Sequence, residues 1–210
     1  MPVLLLIRHG EDDVMKRRLS GRLPGVHLNE KGRAQAEELA HSLKNVGIRA
    51  VYSSPLERAL ETAAPLAEAC SLVVQGHPGL LEINYGAWQG RTYKQLARLR
   101  MWKVLHQAPE QAVFPGGETT AAAQARAVEA LCEISGLHST GEVIACFTHA
   151  DVIRLAVAYF LGLPLGEYQH LRADPAGVSA LLLELETEQL LIFNTTPGRL
   201  GGLTLGREGL

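Results

Sequence analysis

Five consecutive aliphatic residues, Val3 to Ile7, stop abruptly at Arg8, His9 and Gly10. A run this short suits a strand buried on both faces, as in the centre of a parallel sheet, better than a helix. The pattern returns at Glu142 to Phe147, a second apolar strand, which stops at Thr148-His149-Ala150-Asp151. Between the two, Asn29 is placed to cap a helix running to about Val46, with Ala34, Leu39, Ala40 and Leu43 as its apolar stripe and Gly47 as its stop. Ala50 to Ser53 reads as a strand. Ser54-Pro55-Leu56-Glu57 then opens a helix, with Ser54 as cap, Pro55 in the first helical position and Glu57 closing a capping box. That helix tolerates or kinks at Pro65, and a short strand Leu72-Val73-Val74 follows. From Gly76 to Gly117 the alternation of strand and helix breaks off, apart from a helix expected from Thr92 to about His106. Helices follow at about Thr119 to Ile134 and from Asp151 to Leu161, then a hairpin of Val178 to Leu185 and Leu190 to Asn194 around Glu186, Thr187 and Glu188. The Gly-rich tail from Pro197 to Leu210 is expected to be mobile. This order predicts an α/β protein, one domain over 1–210 with a cap-like insertion at about 76–117.

Composition narrows the function classes. At 210 residues, 47% hydrophobic and 20% charged, the chain has enough apolar residues for one sizeable core. A net charge of −2 gives no general electrostatic support for nucleic-acid or membrane-surface binding, so any attraction for an anion must be local. Cys70, Cys132 and Cys146 are odd in number and widely spaced, which argues against a disulfide framework and a zinc cage. Reduced thiols, no basic leader before the first apolar run and no membrane-length segment lead to the expectation of a cytoplasmic protein.

The candidate chemistry sits where apolar runs end. Arg8 and His9 at a strand end are either a solvated exit or the edge of a ligand crevice. Arg58 falls in the first helical turn after Ser54, where helix-dipole preference favours an acid; a structural salt bridge or an anion site would each explain it. Glu82 lies between aliphatic and aromatic neighbours, an environment that raises a carboxyl pKa. Lys16, Arg17, Arg18 and Arg22 form a basic run that is either a solvated face or a means of drawing in a charged substrate.

Five separated pieces, Leu6-Ile7-Arg8-His9-Gly10-Glu11, Leu28-Asn29-Glu30-Lys31-Gly32, Ser53-Ser54-Pro55-Leu56-Glu57-Arg58-Ala59, Leu81-Glu82-Ile83-Asn84-Tyr85-Gly86 and Thr148-His149-Ala150-Asp151, resemble the histidine phosphatase superfamily, the phosphoglycerate mutase-like fold. Pro115-Gly116-Gly117-Glu118-Thr119 is similar to another segment of that family. The resemblance implies a three-layer α/β/α sandwich around a mostly parallel central sheet. It implies His9 as the nucleophile that takes up a phosphoryl group, with Arg8, Arg58 and His149 holding its oxygens and Glu82 as general acid. Ser20 and Gly21 look like a small pair that some relatives place against the phosphate. Asp12 and Met15 depart from the family, which often has Thr or Ser at the first position and Asn at the second.

Phosphoryl transfer suits these residue types. It needs an in-line nucleophile and dense positive charge around the equatorial oxygens, which two planar guanidinium forks supply. The function expected is a phosphomonoesterase acting on a small phosphate ester, with no metal or other cofactor, no nucleic-acid partner and no membrane partner. The compact stretch from Gly76 to Gly117 lacks the long insertions associated with mutases in that family, which favours water as the final acceptor. A phosphomutase and a non-catalytic phospho-ligand binding protein are the alternatives. The sequence leaves the oligomeric state and the physiological substrate open.

Overall fold

The computed structural model describes residues 1–183 and 188–197. Six strands, β1 (Val3–Arg8), β2 (Ile48–Ser53), β3 (Val74–Gly76), β4 (Val143–Thr148), β5 (Val178–Leu183) and β6 (Glu188–Thr195), form one sheet in the order β3-β2-β4-β1-β5-β6. Strands β1 to β4 run parallel, and β5 pairs antiparallel with both β1 and β6. Consecutive residues of β1 go to opposite faces, which is why all of them are apolar. Leu5 and Ile7 pack with Leu39, Leu43, Ala63 and Leu66 of α1 (Glu30–Leu43) and α2 (Glu57–Ala69). Leu4 and Leu6 pack with Leu131, Ile134, Ile153 and Val157 of α5 (Thr120–Gly136) and α6 (Ala150–Phe160). The fold is therefore the expected α/β/α sandwich around a mixed, mostly parallel sheet.

A third apolar cluster lies outside the sheet. Within 76–117, α3 (Tyr93–Leu96), α4 (Arg100–Gln107) and short 3-10 turns gather Ile83, Tyr85, Trp88, Leu96 and Phe114 against Leu155 and Tyr168. The expected single helix from Thr92 to His106 is two. Thr92 and Gln95 close a capping box around one turn, and Leu99 then turns extended (φ −84°, ψ 136°) before α4 begins.

Other boundaries moved for local reasons. α1 is capped by the Asn29 side chain, as expected, but it ends at Leu43, and Ala36 rather than Ala34 faces the core. α2 runs on through Pro65, but its cap is Leu56, with no side-chain cap bond. The Ser54 hydroxyl is instead turned toward His149, and the Glu57 carboxylate accepts from Gly25 N–H at 2.9 Å. β3 lies two residues later than expected, with Val73 81% exposed. The expected hairpin turn at Glu186 and Thr187 and the tail from residue 198 lie outside the described residues.

Candidate active site

Sheet register makes the site. β1 and β4 pair with Arg8 opposite Thr148, so the residues that follow them, His9 and His149, emerge side by side. His9 N–H donates to Thr148 O at 2.9 Å, and the two imidazole centroids are 5.2 Å apart. On the other side of β4, Ser54 N–H donates to Phe147 O at 2.8 Å, which delivers the start of α2 to the same edge. One turn later comes Arg58, 1% exposed and among the largest fully buried side chains of the protein.

Arg58 joins the two histidines. Its Nε donates to His9 Nε2 and its Nη2 to His149 Nδ1, each at 3.3 Å, and Nη2 also donates to Gly21 O at 2.7 Å. The pairing fixes both tautomers. His9 Nδ1 carries its proton toward Gly10 O at 2.8 Å, leaving Nε2 unprotonated, with its lone pair accepting the long bond from Arg58 Nε. His149 Nε2 carries its proton toward the Ser54 hydroxyl at 2.8 Å. Burial and the positive charge of Arg58 hold both imidazoles well below their usual pKa, so both are neutral.

Arg8 points from the end of β1 and donates to Ala173 O at 2.6 Å. Arg8 Nε and Arg58 Nη1 are buried donors with no hydrogen-bond partner among the described residues. Each unsatisfied buried donor costs about 1–3 kcal/mol, more when charged, a cost that an anion's oxygens would offset. Two uncompensated guanidinium N–H groups beside a neutral imidazole have the chemistry to take an anion's oxygens.

Glu82 completes the charge balance. It is 9% exposed, and its carboxyl accepts from Ile83 N–H at 2.9 Å. Burial and then the like charge of Asp151 push its pKa up to about 7, against the opposing pull of Arg58 and Arg8. The apolar setting of Glu82 was legible; the contribution of Asp151 was not. Asp151 itself accepts from the Tyr85 hydroxyl and, at 3.0 Å, from Arg154 Nη1.

Gly21 meets the site through its carbonyl, which holds Arg58. Ser20 is half-buried beside it, its carbonyl accepting from Leu23 N–H at 3.0 Å, and no hydrogen bond links it to His9, Arg58 or His149 among the described residues. Asp12, 0% exposed, turns one carboxylate oxygen into its own loop, accepting from Val14 and Met15 N–H at 2.8 and 2.7 Å. The other oxygen has no hydrogen-bond partner among the described residues and lies 3.9 Å from His9 Nδ1, on the side of the ring away from Nε2.

Several supporting residues escaped the sequence reading. Thr62 on α2 donates to Arg58 O and accepts from Gly10 N–H, tying the helix to the loop that follows His9. Arg22 donates to Glu82 O at 2.7 Å, Arg126 donates to Gly79 O and Leu81 O at 2.7 and 2.9 Å, and both pair with Glu118 at 2.8 Å. Glu118 lies in a segment the resemblance covers, yet nothing in its spacing pointed to Arg126. Gly117 lets that segment approach, because a Cβ there would stand 2.1 Å from Asn84 O.

Fold and site together define a phosphoryl-handling α/β protein built around a buried histidine pair. The chain belongs to the histidine phosphatase superfamily: it matches the family model described as histidine phosphatase superfamily (branch 1) over residues 4–196. It is 32% identical over 193 residues, 91% of each chain, to a 2,3-bisphosphoglycerate-dependent phosphoglycerate mutase of Thermoplasma acidophilum. It is 29% identical over 204 residues, 93% of each chain, to phosphoserine phosphatase 1 of Hydrogenobacter thermophilus. Among solved structures, YhfR of Bacillus stearothermophilus matches with a TM-score of 0.85 at 29% identity, covering 91% of this chain and 96% of that one. A mycobacterial glucosyl-3-phosphoglycerate phosphatase matches at 0.84 and 26% identity, covering 93% and 99%. Three of these four are a mutase or phosphatases by name, and the substrates those names give differ. No helix among the described residues is long and apolar enough to cross a membrane.

Proposed function

We propose that the protein is a metal-independent phosphomonoesterase that hydrolyses a small phosphate ester through a phosphohistidine at His9. The observation that carries this reading is the unprotonated Nε2 of His9, whose lone pair meets the guanidinium of Arg58 at 3.3 Å while Arg58 Nη1 has no partner among the described residues. In the first step Nε2 attacks phosphorus, the bond from phosphorus to the ester oxygen breaks, and the departing oxygen takes the proton of Glu82. A pKa of about 7 keeps a usable share of that carboxyl protonated near neutrality. In the second step the Glu82 carboxylate takes a proton from water and the water oxygen attacks phosphorus. The bond from phosphorus to Nε2 breaks, its electron pair returns to the imidazole, and phosphate leaves.

Arg8 and Arg58 hold the equatorial oxygens in this scheme. His149 joins them once a bound dianion outweighs the burial and the Arg58 charge that keep it neutral and lets Nδ1 gain a proton. Phosphorylation leaves His9 cationic, and its Nδ1–H then faces Gly10 O with the Asp12 carboxylate behind it. Asp12 thus opposes the charge on the nucleophile and lies away from the phosphate. The segment 76–117 supplies Glu82 and forms the cap of a single domain.

A mutase shares each of these residues and differs in returning the phosphoryl group to product. Incubation with 3-phosphoglycerate and other phosphate esters separates the two. We expect free phosphate without isomer formation, at a rate that chelators leave unchanged. Isomer without phosphate would assign the site to a mutase, and a requirement for added divalent ion would overturn the metal-free scheme.

A further inference from the structure

Asp12 is a buried carboxylate whose local duties occupy only one of its oxygens. Its backbone forms an antiparallel bridge to Leu28, and its Oδ1 accepts from Val14 and Met15 N–H, so its own loop fixes the side chain. A turn of this kind needs one acceptor oxygen, which an asparagine supplies equally well. The second oxygen, Oδ2, has no hydrogen-bond partner among the described residues, although Asp12 is 0% exposed. A buried charge with an unpartnered oxygen is unfavourable, and the turn does not require it.

Oδ2 stands 3.9 Å from His9 Nδ1, beyond hydrogen-bond length, and the Nδ1 proton already goes to Gly10 O at 2.8 Å. A neutral ring therefore gains little from Asp12. A charged ring gains much more, because opposite charges at this separation attract strongly when water is kept out. Burial, Arg58 and Arg8 all disfavour positive charge on the same ring, so a counter-charge behind it has something to offset. In the proposed cycle the ring is charged in one state alone. When Nε2 gives its lone pair to phosphorus and the ester oxygen leaves, the ring keeps its Nδ1 proton and becomes an imidazolium. When water takes the phosphoryl group, the electron pair returns to Nε2 and the ring is neutral again.

We infer that Asp12 is a positioning residue that acts through His9, as the fixed counter-charge that stabilises the phosphoenzyme relative to the free enzyme on either side of it. For an ester with a good leaving group, hydrolysis of the phosphoenzyme is then the slow step, and the phosphoenzyme is the form that accumulates. The inference rests on the phosphohistidine reading of the pocket and says how that cycle is partitioned. An interaction realised in one state only shifts the balance between the steps that form and consume that state, and leaves the binding of substrate little changed.

The test uses Asp12→Asn, which keeps an acceptor for the Val14 and Met15 amides and removes the charge. Rapid-quench measurement with p-nitrophenyl phosphate separates formation of the phosphoenzyme from its hydrolysis. We expect a burst of p-nitrophenol from the wild-type enzyme. In the variant the phosphoenzyme should form more slowly and be hydrolysed about tenfold faster, so that the burst shrinks. Damage to the site slows both steps together. A second measurement needs no turnover: orthovanadate takes Nε2 as an added ligand and leaves the ring charged, whereas bound inorganic phosphate forms no bond to the ring. Asp12→Asn should weaken inhibition by vanadate about tenfold while phosphate inhibits at least as well as before. Asp12→Ser, which also removes the charge but brings no amide N–H toward Nδ1, should show the same two shifts. Slowing of both steps, or a ratio of vanadate to phosphate inhibition that neither variant changes, overturns the inference. Wild-type enzyme that carries label on His9 but shows no burst also overturns it and leaves the phosphohistidine reading intact, whereas absence of label on His9 removes both.

Discussion

In the proposed scheme Glu82 is an acid in one step and a base in the next, and its surroundings suit both. Burial and Asp151 raise it to about 7 while the arginines oppose them. Replacing Glu82 with Gln removes the proton donor and leaves the volume. Hydrolysis of esters with poorly departing alcohols should slow by about 10²–10⁴-fold, and formation of the phosphoenzyme from p-nitrophenyl phosphate much less. Equal losses for good and poor leaving groups in single-turnover measurements would remove Glu82 from the acid role. The sign of the pH dependence also follows. Rising pH deprotonates Glu82, so kcat/KM for a poor leaving group should fall above about pH 7. Asp151→Asn removes the like charge, lowers the Glu82 pKa and should shift that alkaline limb to lower pH. A limb that stays in place or moves upward would contradict the coupling. His9, held well below its usual pKa, adds no acid limb in the ordinary histidine range.

Among the elements, the segment carrying Glu82 depends on α5. Arg126 on that helix holds the Gly79 and Leu81 carbonyls and shares Glu118 with Arg22, so it fixes where the Glu82 loop sits. Arg126→Met keeps the stem, strands partly buried acceptors and should cost about 2–4 kcal/mol in denaturant unfolding. As a positioning defect it should also lower kcat for poor leaving groups more than it raises KM. A stability loss with unchanged leaving-group dependence would make Arg126 structural only. β1 and β4 were legible in the sequence because strands buried on both faces need unbroken apolar runs. The start of α2 differs from the expected one because Ser54, which looks like a cap, lies two residues before the actual cap Leu56 and its hydroxyl meets His149 Nε2 at 2.8 Å. The break between α3 and α4 left no trace in the apolar spacing, because Leu96 and Leu105 are buried in the same cluster from two separate helices.

For the molecule as a whole, what matters is which distant residues meet. Sequence patterns marked Arg8, His9, Arg58, Glu82 and His149 as separate anomalies, and the family resemblance grouped them. Sheet order and register supply the physical cause, with β4 placed between β1 and β2 so that three strand ends converge. The Arg22–Glu118–Arg126 cluster was not legible, since it joins residues 96 apart in the chain through side chains of ordinary surface type. The orphan oxygen of Asp12 was likewise visible only once His9 Nδ1 had been placed. The account as a whole stands on covalent chemistry at His9 Nε2, and rapid quenching tests it most directly. Enzyme mixed with a radiolabelled phosphate ester and quenched within milliseconds should carry acid-labile, alkali-stable phosphate on His9, and His9→Ala should carry none and turn over no ester. Full turnover in that variant, or label found on another residue of the wild-type enzyme, would contradict it.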